Sequence, residues 1–172
     1  MDGIINNTVK LKTYVADPDL LVDRFGMMVY KIALLQTRNP HDAEDVFQEV
    51  FLRMMKYMDG FKSEEHAKAW LIRVTQTCSL RQLGSAWNRK TTAISQTVID
   101  DFKAADMSYE EIELFDALGT LPEDIRLSLH LYYFLGYSVN EIARTLDTAP
   151  GSIKTRLYRG RNMLRQVLGG AI

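Results

Sequence analysis

Apolar residues recur along the chain at three- and four-residue steps, the period of an amphipathic helix, and no stretch requires a strand. The first stripe, Leu21, Phe25, Met28, Val29, Ile32 and Leu35, follows Asp17-Pro18, a capping side chain with proline in the first turn. Asn39-Pro40-His41-Asp42 opens a second helix in the same way. Its stripe is Ala43, Val46, Phe47, Val50, Phe51, Met54 and Met58, and Gly60 ends it. Ser63 opens a third, with Ala67, Trp70, Leu71, Val74 and Cys78 on one side. Its continuation from Ser79 to Lys90 loses the stripe and gains Arg81, Arg89 and Lys90 around Trp87. Gly84 lies in this run and costs about 1 kcal/mol relative to alanine in a helix.

From Thr91 to Met107, polar, β-branched and acidic residues follow no period, which is the pattern of a linker. Helical order returns with the capping box Ser108-Tyr109-Glu110-Glu111. Pro122 then opens a helix ending at Gly136, Ser138-Val139-Asn140-Glu141 caps a short one, and Pro150 opens the last, which runs to about Leu168 before Gly169-Gly170. The prediction is an all-α protein with two small helical domains, residues 1–90 and 108–172. A flexible linker, residues 91–107, joins them.

Charge sharpens this division. The net charge of −1 hides an asymmetry: Lys154, Arg156, Arg159, Arg161 and Arg165 crowd the tail, with no acid after Asp147. Acids gather just before the second domain and in its first helix: Asp100, Asp101, Asp106, Glu110, Glu111, Glu113 and Asp116. One part is therefore suited to a polyanion and another is not. A single cysteine, Cys78, excludes an intrachain disulfide. The start lacks a signal pattern and no apolar run approaches a membrane span, so the chain reads as soluble and cytoplasmic.

The stretch from Ser138 to Leu168 carries the most chemistry. A helix of barely two turns buries Ile142, Ala143 and Leu146, and Ala143 suits a close, steep helix crossing. The turn is Asp147-Thr148-Ala149. The next helix turns Ile153, Leu157 and Leu164 inward and leaves Lys154, Thr155, Tyr158, Arg159 and Arg161 outward. Such a helix suits the major groove, with its free N-terminal amides near a phosphate and cationic side chains near base edges. A basic solvated face is the plainer alternative. The short first helix, small residue, three-residue turn and acid-free second helix, in that order, favour a helix-turn-helix. Asp147 replaces the glycine common in such turns but tolerates the left-handed conformation. Ala149 forgoes a capping hydroxyl, a loss of about 1 kcal/mol that Pro150 partly offsets.

The segments HDAEDVFQEVFLRMMKY, AWLIRV and SAWNRK resemble the polymerase-binding and promoter-melting domain of extracytoplasmic-function sigma factors. LPEDIRLSLHLYYFLGYSVNEIARTLDTAPGSIKTRLYRGRNMLRQVL resembles the promoter-binding domain of the same family, so the likeness runs from about Asp19 to Leu168. The resemblance implies a factor that binds core RNA polymerase through its β′ clamp helices and β flap and directs it to promoter DNA. It also implies control by an anti-sigma factor, with no cofactor, no metal and no membrane contact. Asp45, Gln48, Glu49 and Arg53 fall on the helix that docks on the clamp. From spacing alone that polar face serves equally as a solvated one. The loop at Phe61 and Lys62 and the segment with Arg81, Trp87, Arg89 and Lys90 match the minus-ten reader, an aromatic and basic combination suited to single-stranded DNA. Lys154, Thr155, Tyr158 and Arg159 match base or sugar contacts at the minus-thirty-five element, with Ser152, Arg156 and Arg161 toward phosphates. Thr77 and Arg81 stand where the family commonly has asparagine and aspartate, and Gly84 where a basic residue is common. A non-standard minus-ten preference or weaker melting follows.

Enzyme readings find little support. His41, Asp42, Glu44 and Asp45 fan around a helix instead of converging on a metal, and capping accounts for them. His66 and His130 stand apart, Cys78 lies on an apolar stripe, and no phosphate-binding glycine loop occurs. Two other readings remain beside the sigma one. A dimeric helix-turn-helix regulator would need a symmetric operator and no polymerase, and a pure interaction protein would touch DNA only incidentally.

Overall fold

The computed structural model describes residues 17–85, 96–104 and 107–169. Among them every regular element is helical: α1 (Pro18–Thr37), α2 (Pro40–Tyr57), a 3-10 turn (Met58–Gly60), α3 (Glu64–Ser85), α4 (Gln96–Ala104), α5 (Tyr109–Leu118), α6 (Glu123–Tyr133), α7 (Val139–Thr145) and α8 (Pro150–Val167). No helix among the described residues is long and apolar enough to cross a membrane.

The starts are chemically fixed. Asp17 accepts from the Asp19 and Leu20 amides, Asn39 from those of His41 and Asp42, and Ser63 Oγ from that of His66. Ser108 with Glu111, and Ser138 with Glu141, close full capping boxes at α5 and α7. Each cap satisfies amides that a helix start otherwise leaves unpaired, worth about 1 kcal/mol.

The first block is a three-helix layer in which α1, α2 and α3 pack on one another. The second block sets α6 against α8 and α7, with α5 alongside. The two are not apart. Helix α1 also packs on α6 and α5, α3 meets α7, and the buried apolar residues form one continuous cluster from Leu21 to Leu164. This explains a feature that the stripe of α1 did not predict. In its second half Ala33, Leu34, Gln36 and Thr37 are buried along with Ile32 and Leu35, because the helix is covered from both sides.

Within the join, residues 96–104 form α4, where the sequence shows no period. Its Val98 is buried, Ile99 is half-buried, and the helix lies on α5. A two-residue apolar contact on a nine-residue helix is too short to register as a stripe. Gly84 leaves α3 continuous to Ser85.

His130 sits at the centre of the second block, 1% exposed, stacked on Phe134 (4.9 Å between centroids) and edge-on to Phe115 (5.9 Å). Its Nδ1 has no hydrogen-bond partner in the structure. Burial, with nearby Lys31, pushes the imidazole down to about 3. A folded-state value below that of the unfolded chain means that stability is full above pH ~6.5 and is lost as pH falls from there toward about 3. Unfolding free energy is expected to drop by about 2 kcal/mol between pH 7 and pH 5. Denaturant titrations at both pH values check this, and His130→Phe should lose most of the slope. An unchanged slope in that variant removes His130 as its source.

Candidate nucleic-acid interface

The helix-turn-helix is built by local rules. The backbone turns out of α7 at Asp147, whose φ of 50° places it in the left-handed region, and Thr148 N–H donates back to the Ala143 carbonyl (2.9 Å). Ala149 caps α8 without a side-chain bond, and Pro150 occupies the first turn. Ile142, Ala143, Ile153, Leu157 and Leu164 are buried as the stripe requires, while Leu146 is only partly so. Gly160, inside α8, was not singled out by periodicity. A Cβ there would lie 2.4 Å from Leu129 Cδ1 and 2.7 Å from Ile125 Cγ2, so the glycine sets how closely α8 approaches α6.

The outward face of α8 holds Ser152, Lys154, Thr155, Tyr158 and Arg159, all exposed, with Tyr158 64% accessible. Thr155 Oγ1 donates to the Gly151 carbonyl (3.1 Å). Arg161 is half-buried. Arg156 is half-buried too, and its Nε pairs with Asp124 Oδ2 on α6 (3.1 Å), an exposed acid that holds the guanidinium near the helix start.

On the first block, α2 exposes Asp45 and Gln48, with Glu49 and Arg53 half-exposed beside them. Glu49 Oε1 accepts from Arg53 Nε (3.1 Å) and Nη2 (2.7 Å), and also from Arg81 Nη2 across to α3. Hydrogen bonding from Arg81, and then from Arg53, holds the Glu49 carboxyl below the usual carboxylate range. Two turns earlier on α2, Asp42, 2% exposed, accepts from Gln82 Nε2 (3.1 Å). The last turns of α3 are thus pinned to α2 by two polar bridges. Leu52 and Met55, 62% and 60% exposed, share the outer face of α2 with Asp45 and Gln48. Neither belongs to the buried stripe of α2, and the stripe alone does not mark what lies opposite it. The available signal was that both fall out of phase with the stripe.

Phe61 requires a correction. Its side chain is 8% exposed and lies edge-on to Tyr57 (5.2 Å), Trp70 (5.4 Å) and His66 (5.9 Å), so it supports the loop from inside and does not face a nucleic acid. Trp70, expected in the core, is half-buried and stacks flat on Tyr57 (5.3 Å, 5° between planes). Lys62 is exposed, and its amide donates to His66 Nδ1 (3.2 Å). Arg81 is exposed and bonded to Glu49, while Trp87, Arg89 and Lys90 lie outside the described residues. Cys78 is buried, and burial pushes its thiol up, as suits a core residue.

Comparison with known proteins gives this geometry a family. A model of sigma-70 region 2 matches residues 21–89, and a model of sigma-70 region 4 matches residues 111–164. The ECF RNA polymerase sigma factor SigE of Mycolicibacterium smegmatis is 30% identical over 158 residues, covering 87% of this chain and 61% of that protein. SigW of Bacillus subtilis, also an ECF RNA polymerase sigma factor, is 28% identical over 163 residues, 86% of this chain and 87% of that one. The sigma factor RpoE of Bartonella quintana, solved in complex with the anti-sigma factor NepR, shares the fold. Its TM-score is 0.71 over 90% of this chain and 98% of that one, at 21% identity. Two region models in family order, one on each helical block, together with these relatives, place the chain in the sigma-70 family, among its extracytoplasmic-function sigma factors.

Proposed function

We propose that this chain binds core RNA polymerase and directs promoter-specific initiation. In this reading α8 holds the minus-thirty-five element and the end of α3 engages the minus-ten element. The observation that carries it is the coexistence, on one short chain, of an acid-free recognition helix and a separate mixed face on α2 where Leu52 and Met55 stand exposed among Asp45, Gln48 and Glu49. An apolar pair exposed among charged side chains suits a protein partner, and a factor held by polymerase needs such a face beside its DNA-binding helix. The activity would reside in the cytoplasm with the polymerase. The solved relative bound to an anti-sigma factor supports a similar inhibitor for this chain.

Run-off transcription with core polymerase, on the DNA upstream of the protein's own coding region, tests the reading. Initiation should require this chain. Because Leu52 and Met55 bury little in the fold, Leu52→Asp with Met55→Asp should leave helicity intact yet weaken capture of core polymerase by at least about tenfold. Unchanged capture in a pull-down discards α2 as the docking face. On DNA, Arg159→Ala should cost about 1–3 kcal/mol at the cognate upstream element and relax its sequence preference. Arg161→Ala should weaken all sequences alike and lower the salt slope by about one. Binding titrations of the holoenzyme at several salt concentrations separate the two effects, and an Arg159→Ala variant with native affinity and preference would reassign the recognition face.

A further inference from the structure

An acid stands beside the acid-free recognition helix. Arg156 and Gly160, four positions apart, share a flank of α8, and a Cβ at Gly160 would meet Ile125 and Leu129, so α6 runs along that flank. Where the two helices begin to meet, Asp124 Oδ2, in the first turn of α6, pairs with Arg156 Nε (3.1 Å). The side chain of the acid is 56% exposed and that of the arginine 27%. The contact is at the Nε edge of the guanidinium, and no other protein acceptor among the described residues takes its two Nη groups. The turn that carries the acid is stiff. Ser128 Oγ donates to the Asp124 carbonyl (2.8 Å), Arg126 Nε donates to the Leu121 carbonyl (2.8 Å), and Ile125 is buried. Ser152 lies one turn before Arg156 on the same flank of α8, whereas Arg161 lies on the opposite one.

Two simpler roles do not account for this acid. A carboxylate in the first turn of α6 suits the helix dipole, but Glu123 supplies that charge in the same turn without pairing to α8 among the described residues. A brace between helices is the other role, yet an exposed ion pair adds little to stability, and an acid at this place works against phosphate binding. Resting on the sigma reading above, we propose that Asp124 is a positioning residue for DNA. It fixes Arg156 along the flank of α8 so that the free Nη edge meets a backbone phosphate of one strand, while Arg161 faces the other. A helix lying in the major groove has a phosphate backbone on each side, and contacts there set its register on the duplex. The benefit is entropic: a long side chain already held in place has less freedom to lose on binding. The acid is thus part of the DNA-binding surface despite its sign.

The sign of one substitution tests this. Holoenzyme made with the full chain is titrated with upstream-element DNA at several salt concentrations. If charge were all that mattered, removing an acid beside phosphates would tighten binding. Asp124→Asn should instead weaken it about threefold to tenfold and lower the salt slope by about one, as the Arg156 contact is lost. Glu123→Gln removes the same charge from the same turn and should leave binding unchanged or tighter. In an Arg156→Ala background the effect of Asp124→Asn should vanish or change sign, because nothing is left to position. Thermal midpoints should stay near that of the wild type throughout. An Asp124→Asn variant that binds as well as the wild type, or better, overturns the role while leaving the sigma reading in place. So does a loss that persists in full beside Arg156→Ala, or one that tracks a fallen thermal midpoint. If core polymerase ignores the chain, the same variants are compared on duplex DNA with the free chain at low salt. A loss there with Asp124→Asn keeps the positioning role while the sigma reading falls, and no loss there removes both.

Discussion

The second half of α1 is the element that everything else is built around, because it is claimed from two directions. Ile32 and Leu35 serve the first block, while the last turn ends in carbonyls that Arg126 reaches from the second. A helix in this position cannot keep a polar side, and it does not: from Ile32 to Thr37 every residue is buried. The polar ones there bond through their donors, while Gln36 Oε1 has no partner. Thr37 Oγ1 donates to the Ala33 carbonyl (2.9 Å), and Gln36 Nε2 donates to Gln76 Oε1 (2.7 Å) as well as across the boundary. Burying these groups unpaired would cost about 1–3 kcal/mol each. Their bonds therefore fix the register in which the two blocks meet.

This register also explains the low set point of the buried cations. Arg126 is held below the usual guanidinium range chiefly by burial, with Arg38 nearby pushing the same way and Glu123 opposing. Lys31 is likewise lowered by burial, partly countered by Glu111 of the opposite block. Desolvated charges of this kind hold a docked arrangement only while their partners are present. Joined to the apolar cluster that runs through both blocks, such pairs make the boundary specific in geometry.

Local chemistry was legible from the residues, and long-range chemistry was not. Every helix start with a capping side chain could be read, as could the left-handed Asp147 and the Ala149-Pro150 entry to α8, since each depends on neighbours within four positions. Helix α4 escaped because its apolar contact is too short to make a stripe. Phe61 is assigned to the minus-ten reader only by the likeness of its loop to the family's, whereas Tyr57 and Trp70, one on each flanking helix, close over it. Gly160 and Gly119 were silent for a related reason. What each glycine accommodates is a side chain 31 or more positions away, and no period encodes that.

Arg81 reaches across from α3 to Glu49 of α2. An acid at this position would face the Glu49 carboxylate and repel it. Arginine instead makes the pairing, and Glu49 then serves two guanidiniums at the junction of α2 and α3. The pair is exposed, so it adds little to stability. Its effect is on placement. Arg81–Glu49 and Gln82–Asp42 tie the last turns of α3 to α2, so whatever docks on α2 also sets where that end of α3 points. Thr77, with its hydroxyl turned back to the Arg73 carbonyl (3.0 Å), presents a methyl on the same exposed side. A face of methyl and guanidinium offers cationic donors, with Glu49 Oε1 as the nearby acceptor already engaged by both arginines.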